Sequence, residues 1–334
     1  MMMRAIVVVL AGSFLTVTTA RAQSLAAELD LTAGYSTEEN VTAAATQFRV
    51  FGEGPAAVRF YGEAAWGKQF NGTTDAFGAA YPYFGDVQAM EVYGERIFKP
   101  GASLAAVRVG RYRTPFGISG RGDHSYSGFL RAPLIRYDGY WALSNNFLEQ
   151  GVDAIVGIPQ LYVEASVGAP GDVGKVSRRS GVDTVVRVQG YRGPLIVGVS
   201  YMRSRPYMAR TVEQARLGFT GIDVRWMLAG IEARGEWLSG RPIDGTNTSG
   251  WYADAILHRP GMGPVTAVFR AEQLDWTGLI RSDDAQGRRQ TAGARIRLTN
   301  AIAVHVNVIH QDGYLAKEHR SSVDLATTYA IRLH

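Results

Sequence analysis

Cysteine is absent from the chain, which excludes a disulfide scaffold and thiolate metal sites. Lysine is scarce: Lys68, Lys99, Lys175 and Lys317 are the four present, and the remaining cationic side chains are arginines apart from the histidines. The arginines are spread singly rather than gathered in one patch, so a nucleic-acid surface is a poor reading. Long apolar runs are lacking too, and a mean hydropathy of -0.07 excludes a helical membrane protein. The one such run, from Ala5 to about Thr19, follows Arg4 and ends at Ala20-Arg21-Ala22, a small-residue cleavage pattern. It reads as a signal peptide over 1–22, too short to span a bilayer. The mature chain then runs from 23 to 334, and loss of Arg4 and Arg21 lowers the formal charge from +5 to +3. Catalytic motifs are missing. No G-x-S-x-G occurs, and none of His124, His258, His305, His310, His319 and His334 sits in a nucleophile or H-E-x-x-H pattern. No cofactor and no metal is therefore expected, and the absence of a fixed-period repeat argues against a propeller or β-helix.

What is present is alternation. Leu161, Val163, Ala165 and Val167 alternate with Tyr162, Glu164 and Ser166; Ile302, Val304, Val306 and Val308 alternate with Ala303, His305 and Asn307. Val182, Thr184, Val186 and Val188 oppose Asp183 and Arg187, and Val265, Ala267, Phe269 and Ala271 oppose Thr266, Arg270 and Glu272. Period two with one apolar face is a strand signal. It predicts about sixteen strands, near 26–35, 43–52, 56–67, 87–98, 102–112, 147–157, 160–168, 181–190, 195–203, 212–226, 230–238, 249–258, 264–276, 289–299, 301–311 and 319–333. Short connections such as Glu53-Gly54-Pro55, Lys99-Pro100-Gly101, Pro159-Gln160 and Thr299-Asn300 alternate with long ones along the whole chain. Outer-membrane barrels have that asymmetry and an even strand number. In lipid, every backbone N–H and C=O needs a partner, and a closed sheet supplies one. The fold class expected is all-β, a transmembrane antiparallel β-barrel, with Tyr35, Trp66, Tyr201, Trp226, Trp237, Trp251 and Trp276 as interfacial girdle aromatics.

The longest connection, 113–146, spans about 34 residues, a length that is usually functional or disordered. Its centre, from Ser125 to Tyr137, is too aromatic and apolar to stay in water. It is expected to fold inward as the third loop and to pack Phe129, Leu130, Leu134 and Ile135 on the inner wall.

Alternation also assigns the faces. The lumen should receive Arg49, Arg59, Arg108, Arg187, Arg234, Arg270, Arg295 and Arg297, together with Glu63, Glu91, Asp153, Asp183, Glu232, Glu236, Asp254 and Glu272. The folded-in loop adds Arg113, Arg121, Arg131 and Arg136 against Asp123 and Asp138, so the narrowest part should be net positive. With Arg108 and Arg111 beside it, this set is the candidate anion-binding constriction. Rings of arginine favour anions, and the guanidinium fork suits phosphate and carboxylate.

The run Gly110-Arg111-Tyr112-Arg113-Thr114-Pro115-Phe116-Gly117 resembles the fifth-strand exit of the bacterial porins grouped as phosphate-selective porins O and P. The leader, the size and the strand count are similar as well. The resemblance implies a homotrimeric outer-membrane channel whose third loop forms the constriction.

The function expected is passive diffusion of small hydrophilic solutes across the outer membrane of a Gram-negative bacterium, leaning toward anions such as phosphate. The protein is not expected to be an enzyme. An outer-membrane barrel hydrolase is the first alternative, with His305 beside Asn307 on one strand face as its weak hint. A surface adhesin or structural barrel is the second; it would need large outward loops, yet the longest loop is the one read as turned inward.

Overall fold

The computed structural model describes residues 24–38, 40–71, 85–118, 127–136, 147–171, 179–206, 217–242, 246–258, 263–277, 285–313 and 321–333. The leader at 1–22 and Arg121 lie outside them. Sixteen strands form: β1 (Ser24–Ser36), β2 (Val41–Glu53), β3 (Val58–Gln69), β4 (Gln88–Phe98), β5 (Leu104–Arg113), β6 (Leu148–Ile158), β7 (Leu161–Pro170), β8 (Arg179–Arg192), β9 (Leu195–Pro206), β10 (Leu217–Leu228), β11 (Ile231–Arg241), β12 (Asn247–Leu257), β13 (Val265–Thr277), β14 (Ala285–Arg297), β15 (Ile302–Gly313) and β16 (Ser321–Leu333). Each pairs antiparallel with its sequence neighbours, and β1 pairs with β16 from Ala27↔Leu333 to Ser36↔Asp324. The sheet is therefore a closed barrel with no free edge.

The alternation in the sequence becomes an inside-out distribution of polarity. Outward positions are apolar and exposed, among them Phe48, Val152, Val167, Val199, Ile222, Phe269, Val308 and Leu325. The positions between them carry Glu63, Asp153, Arg187, Asp223, Arg234, Asp254, Arg270 and Glu272, all buried. A single-residue slip in any strand would exchange the two sets, so the register is strongly specified. The register shifts once between β3 and β4, at Gly62/Ala64, and once between β8 and β9, at Ser180/Thr184.

Short turns gather at one end with the start of β1 and the finish of β16; the longer connections gather at the other. Tyr35, Trp66, Tyr201, Trp226, Trp237 and Trp251 stand on outward positions. Trp276 does not. It shares the face of Glu272 and Leu274 on β13 and is buried inside the barrel, because at the strand's end its parity is that of the inward set.

Candidate functional site in the barrel interior

Residues 127–136, the described centre of the connection between β5 and β6, lie against inward-facing side chains. The backbone of Gly128 has φ +95, and a Cβ there would stand 3.1 Å from the Cβ of Arg295 on β14. Glycine is needed for both reasons. From there the segment follows the wall. The N–H of Leu130 donates to Oδ1 of Asn307 on β15 at 2.9 Å, and that of Leu134 to Oε2 of Glu272 on β13 at 2.6 Å. The carbonyl of Arg131 accepts from Arg270 at 2.9 Å, and that of Ala132 from Arg289 on β14 at 2.5 Å.

The apolar side chains of the segment have apolar company inside the barrel. Leu134 and Ile135 join Phe116 and Phe147 in a cluster with inward residues of β8 to β13, including Val185, Met202, Phe219, Leu238, Tyr252 and Leu274. Phe129 packs with Ile256 and Val268, and Leu130 with Val41, Ala43 and Ala326. Residues 119–126 and 137–146 of the same connection lie outside the described set.

Arg131 and Arg136, two of the arginines assigned to the candidate constriction, have side chains 3% and 2% exposed that turn into the wall. Arg131 grips Asp324 of β16 through Nε at 2.6 Å and Nη2 at 2.9 Å, and Glu38 through Nη1 at 2.7 Å. Arg136 donates to Glu236 of β11 and to the carbonyl of Phe116, and lies over the Phe116 ring. The physical reason is desolvation: a segment that packs its apolar residues on the wall buries its cations with them, and a buried cation needs a carboxylate. Arg111 and Arg113 alternate with Arg108 and Tyr112, so they fall on the opposite face of β5; Arg111 donates to the carbonyl of Gly171. Arg108 does face inward, and it is held by Glu95 and Asp153 at 3.0 Å and Glu164 at 3.5 Å, with its guanidinium 4.7 Å from the Tyr93 ring centroid.

The predicted wall arginines all occupy inward positions, and most are neutralised there. Arg49 pairs with Asp30 at 2.9 Å and Glu28 at 3.3 Å, Arg59 with Glu53 at 3.6 Å, and Arg187 with both oxygens of Asp223. Arg234 and Arg270 share Asp254. Two buried arginines were not singled out from the sequence: Arg179, between Glu149 and Asp183, and Arg289, on Glu272. Their inward parity was the available signal. Among the described residues, Arg295 and Arg297 carry no such partner.

No family model matches the chain, and no characterised protein matches it by sequence. Solved structures do share the fold. OmpF of Salmonella typhi superposes with a TM-score of 0.63 at 10% identity, covering 92% of this chain and 97% of that one. An anion-selective porin from Comamonas acidovorans gives 0.59 at 13% identity, covering 92% and 99%. OmpT of Vibrio cholerae in a trimer form, an outer membrane protein, gives 0.56 at 9% identity, covering 92% and 98%.

Proposed function

We propose that the protein is a passive diffusion channel for small hydrophilic solutes in the outer membrane of a Gram-negative bacterium, exported by its leader and assembled as a homotrimer. The observation that carries this reading is the closed sixteen-stranded barrel with apolar residues outward and charged residues inward. A barrel of that strand number is too wide for its own side chains to fill. An apolar exterior belongs in lipid, and a charged interior belongs around water. The trimer form of the Vibrio cholerae protein supports the assembly state. A leaning toward anions such as phosphate is supported by the likeness to an anion-selective porin and by the resemblance at 110–117 to the phosphate-selective porins.

The test is reconstitution. Liposomes carrying the folded protein swell in isosmotic small sugars and amino acids, and a KCl gradient across a planar bilayer gives a reversal potential of anion-preferring sign. Folded, inserted protein that leaves the vesicles impermeable would remove the channel reading; a cation-preferring potential would remove the anion preference alone.

A further inference from the structure

Three carboxylates converge on one guanidinium in the wall formed by β4 to β7. Glu95 of β4 and Asp153 of β6 each stand 3.0 Å from the guanidinium of Arg108 on β5, and Glu164 of β7 stands 3.5 Å from it. Ionised, the three carboxyl groups exceed Arg108 by two charges. The neighbouring cations do not offset the excess. Arg187, directly across from Glu164, is claimed by both oxygens of Asp223. Arg49, on β2, is held by Glu28, Asp30 and Glu63. A buried excess of one sign costs free energy until a counter-charge arrives. One atom marks where a donor is missing: Asp153 is fully buried, and its Oδ1 has no hydrogen-bond partner.

The surroundings are aromatic. Tyr93 and Glu95 share the inward face of β4, and Tyr162 and Glu164 that of β7; residues two apart on a strand lie roughly 7 Å from each other. Tyr61 of β3 stacks on Tyr93 with ring centroids 5.2 Å apart, and the hydroxyl of Tyr162 donates to Oε2 of Glu164 at 3.2 Å. Arg108 already shows what such a wall accepts: an alkyl cation, 4.7 Å from the Tyr93 ring centroid and 5.8 Å from that of Tyr112. The side chains of Glu95 and Glu164 keep 13% and 12% of their surface open. The 127–136 segment is seated on β2 and on β8 to β16, so it leaves this wall to the lumen.

We propose that Glu95, Asp153 and Glu164, with the rings of Tyr93 and Tyr162, form a binding station for the ammonium head of a primary-amine solute. An –NH₃⁺ group carries three donors and no acceptor, which matches three carboxylates that lack donors. Its bonds to them are charge-assisted, and the tyrosine faces add attraction for the cation and its first methylenes. The inference rests on the channel reading for access from the lumen, and it holds whichever sign of ion carries the bulk current.

The experiment uses the full mature barrel folded in non-ionic detergent at neutral pH and low salt, where charge attraction is least screened. Saturation-transfer NMR of n-butylammonium reads binding without any ion flow. Wild type gives a saturable signal, and tetramethylammonium, a cation with no N–H, binds more weakly. E95Q/E164Q binds butylammonium at least about tenfold more weakly, the scale of a lost charge-assisted hydrogen bond. E95Q alone, which leaves Asp153 and Glu164 on Arg108, loses a smaller factor and serves if the double variant does not fold. The control D275N/D312N removes two negative charges from outward positions of β13 and β15 and binds as wild type. No saturable signal in wild type overturns the site, as does equal binding by wild type and the glutamine variants. Tetramethylammonium bound as tightly as butylammonium overturns it too, since diffuse charge attraction then suffices. Protein that conducts but binds no butylammonium overturns the site alone; protein that binds it but carries no current overturns the channel reading and leaves the site standing.

Discussion

Arg131 ties together parts of the barrel that share no strand. Its fork closes on Asp324 of β16, its third nitrogen reaches Glu38 beyond β1, and its carbonyl receives Arg270 of β13. Breaking a buried pair from one side leaves the other charge uncompensated, at about 3–5 kcal/mol. Arg131→Ala therefore leaves Asp324 and Glu38 buried and negative, and the 127–136 segment is expected to come off the wall. Limited proteolysis of the folded protein should then cut within 119–136, and single-channel conductance should rise. Arg131→Lys keeps the charge but not the fork, so its effect should be intermediate. An alanine variant as resistant and as conductive as wild type would mean that the apolar contacts of Phe129, Leu130, Leu134 and Ile135 hold the segment unaided.

At the scale of the strand, the two faces should answer differently to the same substitution. Ile222 is outward on β10 and 48% exposed, whereas Gln189 is inward on β8 and half-buried. A lysine on the lipid face near mid-bilayer costs about 2–4 kcal/mol. Ile222→Lys should lower the urea midpoint of refolding into liposomes by a readily measured amount, while Gln189→Lys should leave it nearly unchanged; equal effects would contradict the face assignment. All sixteen strands were legible because alternation is enforced from both sides at once. Legibility faded where both faces are polar. The first turn of β14, Gln286-Gly287-Arg288-Arg289-Gln290, carries no contrast, and the strand begins at Ala285 rather than at the predicted 289. The reverse failure is Met202, Phe219, Leu238 and Leu274, apolar residues on inward positions. They read as departures from the pattern until the segment that covers them is placed. The site was less legible than the fold. Which arginine is paired depends on register and on partners far along the chain, so composition alone made Arg131 and Arg136 look available and gave Arg295 no distinction from Arg270.

For the molecule as a whole, closure is the condition of stability, because an unpaired strand edge has no substitute partner in lipid. A variant lacking 321–333 would expose β15 on one side and β1 on the other. It should fail to fold into liposomes and should lose the anomalous gel mobility of unheated protein that the full barrel is expected to show; retention of that mobility would mean that fifteen strands can close. The seam also bears on the order of events during assembly. Arg131 meets Asp324 across 193 residues of chain, and Leu130 meets Asn307 across 177. Contacts of such separation form late, since the intervening chain must first be ordered. The segment between β5 and β6 is made early and can complete its docking only when β15 and β16 arrive. A barrel closed with β16 out of register would move Asp324 away from Arg131 while leaving Glu38 in place, so the segment should be held less firmly and should yield sooner to proteases.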